Sequence, residues 1–326
     1  MKAVRLSVSL LLGFAIEAAA QQPAQPPAKP DTPEIKALIE QTRKAAGPRF
    51  AYAVHFWCEE PRANRADDPV IQPTKLFDDV YAIGNSGTTI YVIQTSAGLL
   101  MIDALAANQV DPQVLPGFQK LGLDPAQVKV ILVAHGHADH FGGAAYFQER
   151  FGTKVYVSAA DWNVMENPPA ARGRGPAGPT PAIPKHDQEI KDGEPIVLGD
   201  LRVTPVAVPG HTPGAMGFMF PVKDNGTSHT AAIFGGVWLT PGLLNDDALQ
   251  TYLKSVLRFR DETRKAGVDV LLQNHMLMDP IQEKLDRLAA RKRGEPHPFV
   301  VGRDEYQKFV GVMEGCTQVN IARRKL

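Results

Sequence analysis

The sequence predicts a layered α/β fold in which two similar halves pack sheet to sheet with helices outside. Two observations carry this. Short β-rich runs broken by glycine turns give way to strands alternating with helices, and this order occurs twice along the 326 residues. A third concerns function: histidines stand where buried apolar runs end, at the strand exits where α/β proteins gather their catalytic groups.

The first half begins with Val80–Ile83, Thr89–Gln94 and Leu99–Ile102, punctuated by Gly84-Asn85-Ser86-Gly87 and Ser96-Ala97-Gly98. A helix near Gln109–Lys120 then leads to the apolar strand Val128–Val133, which runs into His135. A second helix over Phe141–Phe151, the strand Lys154–Val157 and a short helix at Ala159–Glu166 complete it. Residues 167–186 are rich in proline and glycine and read as a long surface loop. Strand character returns at Ile196–Leu198, Leu201–Val208, Ala215–Phe220 and Ala231–Phe234. A helix over Ala248–Ala266 precedes the apolar strand Val268–Leu272, and helices at Ile281–Arg293 and Arg303–Arg323 finish the chain. No sequence repeat accompanies the repeated order, so the duplication rests on element order alone.

Composition narrows the function. Thirty-five basic against 35 acidic residues, with a pI near 7.1, gives no support for nucleic-acid or anionic-membrane binding. Two cysteines are too few for a disulfide scaffold or a cysteine-rich zinc module, so any metal chemistry rests on the nine histidines and on carboxylates.

Lys2 and Arg5 precede an apolar run from Leu6 to Ile16 and then Ala18-Ala19-Ala20. This is the pattern of a cleavable signal peptide over 1–20, the run being too short to span a bilayer. A flexible Pro/Ala/Gln-rich leader over 21–50 and one folded domain over 51–326 are expected to follow. The expectation is an exported protein, periplasmic or secreted, without a membrane segment after cleavage. In an oxidising compartment Cys58 and Cys316 form either a bridge or two unrelated buried thiols.

The decisive segment is Ala134-His135-Gly136-His137-Ala138-Asp139-His140, directly after a buried strand. Imidazole nitrogens suit zinc and a carboxylate oxygen can complete its shell. Three histidines and an aspartate within six positions fit one metal site better than packing. His211 sits in the rigid turn Val208-Pro209-Gly210-His211-Thr212-Pro213-Gly214, and His275 follows the apolar run from Val268 to Leu272. The remaining histidines, 55, 186, 229 and 297, follow no such run and read as solvated or capping residues. Of the three tryptophans only Trp238 is a candidate for the substrate groove; Trp57 and Trp162 read as core.

His-x-His-x-Asp-His is the hallmark of the metallo-β-lactamase superfamily, which this sequence resembles from about Phe77 to its C-terminus. Gly84 to Ile93, Leu100-Met101-Ile102-Asp103, Asp192-Gly193, Leu198-Gly199 and Gly210 to Gly214 extend the likeness. The resemblance implies a four-layer αββα sandwich with two zinc ions at the sheet edge. It implies that His135, His137 and His211 hold one ion and that Asp139, His140 and His275 hold the other, with Asp139 also catalytic. Asp103 and Thr212 are candidates for fixing those ligands from behind.

Many superfamily hydrolases bridge the two ions with an aspartate in a Phe-x-Gly-Asp-like sequence; here Ile233-Phe234-Gly235-Gly236-Val237-Trp238 places Gly236 at that position. The remaining ligand set resembles the third subclass of class B β-lactamases, as do Trp57, Pro298-Phe299 and the helix from Arg303. This implies hydrolysis of the β-lactam amide by zinc-activated water, antibiotic resistance as the outcome, and a small-molecule substrate as the partner. The subclass's serine near Val237 is missing and the 167–186 loop is long, which bears on substrate identity. Alternatives are another exported zinc hydrolase of this fold, acting on a lactone, thioester or phosphoester, and a zinc-binding relative without turnover.

Overall fold

The computed structural model describes residues 30–59, 68–168, 182–239, 244–275 and 278–326. The expected signal segment at 1–20, the first part of the expected leader and most of the 167–186 loop lie outside the described residues.

The folded chain starts earlier than expected. Helix α1 (Pro33–Ala46) opens on Thr32, whose Oγ1 accepts the Ile35 amide, with Pro33 at the first helical position. Ile35, Ile39, Thr42 and Ala46 lie three or four residues apart and are buried, so one stripe of the helix enters the core. A 3-10 turn (Pro48–Phe50), the short α2 (Ala51–Val54) and a π-helical turn (His55–Glu59) carry on from it. A flexible leader reaching residue 50 is therefore wrong for 33–50; the Pro/Ala/Gln composition ends at Pro33, where an amphipathic stripe begins.

Strands β1 (Thr74–Lys75), β2 (Val80–Gly84), β3 (Thr89–Thr95) and β4 (Gly98–Ile102) form an antiparallel meander. The helix expected at 109–120 is a 3-10 turn, a π turn over Val110–Val114 and then α3 (Leu115–Leu121). Pro112 and Pro116 remove the amide donors a regular helix would use there. Next come β5 (Val128–Leu132), α4 (Ala138–Phe141), α5 (Ala144–Phe151), β6 (Lys154–Val157), α6 (Ala159–Glu166) and β7 (Gln188–Glu189). Strands β5, β6 and β7 add in parallel, completing seven strands in chain order. The expected helix over 141–151 breaks at Gly142-Gly143, where a Cβ would meet the Ala107 nitrogen at 2.6 Å and the Ala104 oxygen at 2.3 Å.

The second sheet holds β8 (Ile196–Leu198), β9 (Leu201–Ala207), β10 (Met216–Asp224) and β11 (Thr227–Ile233). After α7 (Asp246–Ala266), β12 (Val270–Leu271) joins β11 in parallel, giving the order β12-β11-β10-β9-β8. Strands β10 and β11 are longer than expected because Asn225-Gly226, both at positive φ, closes a hairpin. Helices α8 (Ile281–Ala290) and α9 (Arg303–Arg323) end the fold. No helix among the described residues is long and apolar enough to cross a membrane.

Period-two alternation assigns the layers. Leu100 and Ile102 of β4 meet Phe218, Phe220 and Ile233 between the sheets, whereas Leu99 and Met101 point outward to Phe118 and Phe147 under α3 and α5. On the far side, Ala232 and Met219 face Tyr252 and Phe259 of α7 and Tyr306 and Phe309 of α9. Each fully buried Leu, Ile or Phe among these contributes roughly 1.5–3 kcal/mol. This is the four-layer αββα sandwich the element order predicted.

A Cys58–Cys316 disulfide ties the π turn to α9. His297 is not solvated as expected: it is buried, stacks on Phe77 at 4.3 Å and donates from Nε2 to the Leu76 carbonyl. His229 lies in β11 and pairs with Asp269, and His186 stacks on Trp162.

Candidate metal centre

Strand β5 delivers His135 to the sheet edge, and the turn after it fans out the next ligands. His135 and His140 are fully buried, while His137 is exposed and forms the open side. From the second half, the β9–β10 turn brings His211, and the segment after β12 brings His275, both nearly buried. Six residues singled out in the sequence thus come together.

In the first group, His135 Nε2 and His211 Nε2 each lie 3.1 and 3.0 Å, respectively, from His137 Nδ1. In the second, His140 Nε2 lies 3.0 Å from His275 Nε2 and 3.4 Å from Asp139 Oδ2, which is 4.0 Å from His275 Nε2. His135 is within reach of both groups: the ligand atoms of His135, His137 and His211, and those of His135, His140 and His275, lie within 4.8 Å of one another.

The far side of each ring fixes what the near side offers. His211 Nδ1 donates to the Trp238 carbonyl at 2.7 Å, and His275 Nδ1 donates to the Gly87 carbonyl at 2.9 Å. His140 Nδ1 donates to Asp103 Oδ2 at 2.8 Å. On a neutral ring, each proton held there leaves an Nε2 lone pair facing inward. One proton can bridge a pair of such nitrogens but not three, whereas a divalent cation satisfies all. Tetrahedral zinc with bonds of 2.0–2.1 Å sets its nitrogens about 3.3 Å apart, close to the observed spacing. The donor set fits zinc.

Burial and mutual repulsion push His135 and His211 well below the ordinary imidazole value, and burial with His140 nearby brings His275 to about 4. His140 goes the other way. Burial opposes its charge, yet Asp139 and Asp103 raise it to about 10. Burial disfavours ionised Asp139, but His140, His275 and His137 outweigh that and hold it well below the usual carboxylate range.

Asp103 has φ of 62°, a strained conformation for a non-glycine residue, and its Oδ1 also accepts the Ala134 amide. One carboxylate thereby holds both the exit of β5 and His140. Among the described residues the hydroxyl of Thr212 donates not to a ligand ring but to Asp161 Oδ2 at 2.6 Å. Asp161, at the start of α6, and Thr88, whose hydroxyl donates to Asp139 Oδ2 at 3.2 Å, escaped the sequence reading. The only cue to Asp161 is Ser158-x-x-Asp161, which signals a helix start rather than a site.

Trp57 and Trp162 are core, whereas the ring of Trp238 stands 5.6 Å from His275. Gly236 has φ of 68°, and a Cβ there would stand 2.7 Å from the His211 Cβ and 2.9 Å from its Cδ2. With His211 where it is, position 236 has no room for a side chain.

The family model of the metallo-beta-lactamase superfamily matches residues 83–224. Among solved structures, BJP-1, a subclass B3 metallo-beta-lactamase of Bradyrhizobium japonicum, superposes with a TM-score of 0.67 at 26% identity, covering 79% of this chain and 96% of that one. Curated relatives by sequence point elsewhere. A hydroxyacylglutathione hydrolase of Hyphomonas neptunium is 34% identical over 90 residues, 28% of each chain. The hydroxyacylglutathione hydrolase GloC of Haemophilus influenzae is 27% identical over 159 residues, 45% of this chain and 71% of that one. The match to the first of these two therefore spans little more than a quarter of its length. Fold, family match and histidine clusters agree: residues 83–224 match the metallo-beta-lactamase superfamily within a fold like that of BJP-1.

Proposed function

We propose that this chain is an exported, dizinc β-lactamase. The observation that carries the reading is Gly236: its close approach to His211 leaves no side chain to bridge two ions, so the donor set is three histidines beside Asp139, His140 and His275. The likeness to BJP-1 supports the same subclass.

Zinc, when bound, supplies a Lewis acid and lowers the pKa of a bound water toward about 7. The chain's own groups do the rest. His135, His137 and His211 would hold one ion, and Asp139, His140 and His275 the other. The inward Nε2 lone pairs of His211 and His275 are kept free by protons held on the outer nitrogens, and Asp103 holds the outer Nδ1 proton of His140 when a metal ion displaces the inner one. Asp139, kept ionised by its imidazole neighbours and fixed by Thr88, accepts a hydrogen bond from the attacking water and aims it at the lactam carbonyl. The substrate enters over the open side formed by His137.

A second reading, hydrolysis of a glutathione thioester, is favoured by the names of the curated relatives. A substrate panel decides between them. Purified zinc-loaded protein should hydrolyse carbapenems and penicillins, lose that activity to a chelator and regain it with zinc. Turnover of thioesters, acyl-homoserine lactones or phosphodiesters with none on β-lactams would overturn the proposal.

A further inference from the structure

A ligand triad divided between two halves of a fold tolerates little slippage. His135 and His137 follow β5 in the first half, and His211 stands between β9 and β10 in the second. Their facing nitrogens are 3.0–3.1 Å apart, and metal–ligand bonds hold their lengths to about 0.2 Å. His211 is aimed by the Trp238 carbonyl. His135 Nδ1 is buried and has no hydrogen-bond partner among the described residues. With no brace on that nitrogen, its ring depends on the backbone around Gly136 and on the imidazoles packed against it.

Asp161 holds that backbone. Its fully buried Oδ2 accepts the Gly136 amide at 2.8 Å and the Thr212 hydroxyl at 2.6 Å, and its Oδ1 accepts the Gly214 amide at 2.8 Å. One carboxylate thus grips the loop that carries His135 and His137 and the turn that carries His211. The approach needs Gly214 bare, since a Cβ there would stand 2.8 Å from Asp161 Cγ, and is tight at Gly136, where one would stand 3.3 Å from Asp161 Cβ. Among the described residues Asp161 makes no ion pair, so three neutral donors offset a burial that an uncharged side chain would not suffer.

We propose that Asp161 is the positioning residue of the first triad: it sets His135 and His137 against His211 and so sets that triad's affinity for zinc. The proposal rests on the metal-centre reading above.

The test is a zinc and cobalt titration of the full chain, followed by calorimetry and by the visible cobalt bands. His211→Ala and His275→Ala identify which binding step belongs to which triad. Asp161→Asn, which turns an amide donor toward donors, should weaken the first-triad step by about 10–100-fold and shift its cobalt bands. The second-triad step should keep its affinity. Thr212→Val should weaken the same step, and Thr212→Ser, which restores the hydroxyl, should rescue it. The Thr212 pair answers the question even if Asp161→Asn fails to fold. An unchanged first step in Asp161→Asn or in Thr212→Val, or equal weakening of both steps, would overturn the positioning role. Uptake of neither ion by the unaltered protein would overturn the metal-centre reading itself, and the role with it.

Discussion

In the second triad a buried carboxylate, Asp103, grips His140 directly, whereas in the first His211 is held by a backbone carbonyl and the buried Nδ1 of His135 has no partner among the described residues. The electrostatics divide accordingly. Asp139 and Asp103 keep His140 charged up to about 10, while burial and mutual repulsion keep His135 and His211 neutral. A cation at the second triad meets carboxylates, whereas at the first it meets neutral rings whose fit depends on how the two halves are set. Charge serves one site and backbone placement the other.

The sharpest break in this comparison is Asp139→Asn, which removes the anionic ligand and leaves the shape. If β-lactam turnover relies on that carboxylate to orient water, kcat/KM should fall by about 10²–10⁴-fold in steady-state assays. Turnover near that of the unaltered protein would count heavily against the scheme.

The first triad has its own distant support, and the next largest effect falls there. The disulfide fixes the π turn to α9, and within that turn Trp57 Nε1 donates to the Val237 carbonyl at 3.2 Å, next to the Trp238 carbonyl that aims His211. Cys58→Ser with Cys316→Ser should cost about 2–5 kcal/mol in denaturant unfolding. In the folded protein any loss of metal affinity should fall on the step that His211→Ala abolishes. A loss confined to the second triad would contradict this route.

Legibility followed the kind of atom involved. His135 and His275 were readable because each follows an apolar run, His211 because it sits in a rigid Pro/Gly turn, and the apolar run Leu99 to Ile102 stood out as a strand. Asp103 was within reach because it too stands at a strand exit. The Gly87 and Trp238 carbonyls were not, since every residue has a carbonyl and only folding decides which one meets a ring. Asp161 was hidden behind its helix-start pattern, and α1 behind the proline-rich stretch before it. The β10–β11 hairpin was underestimated because its distal strands, Pro221 to Asp224 and Thr227 to Thr230, are mostly polar or proline, with Val222 the one apolar residue that reaches the core.

Asp103→Asn tests the charge side of the comparison. The amide keeps one acceptor but loses the charge that polarises His140, so affinity at the second triad should drop by about 10–100-fold in a zinc titration. The first triad should change less, because Asp103 reaches it only through the Ala134 amide. Equal losses at both sites would show that Asp103 acts on β5 as a whole.

The smallest effect belongs to Thr88→Val, and its size is what makes it informative. Valine matches threonine in shape and removes one donor, the hydroxyl 3.2 Å from Asp139 Oδ2. The loop should keep its course, because Asn85 Oδ1 accepts both the Gly87 and Thr88 amides at 2.9 Å, and the Gly87 carbonyl stays on His275. A neutral hydroxyl to a carboxylate contributes about 0.5–1.5 kcal/mol, which amounts to a fall of tenfold or less. If Asp139 works chiefly by orienting water, that fall should appear in kcat with KM unchanged. If it works chiefly as a ligand, the same variant should instead lower affinity at the second triad and leave turnover of the loaded protein intact. The split between the two measurements decides whether the charge at the second triad serves to hold the ion or to aim the attack.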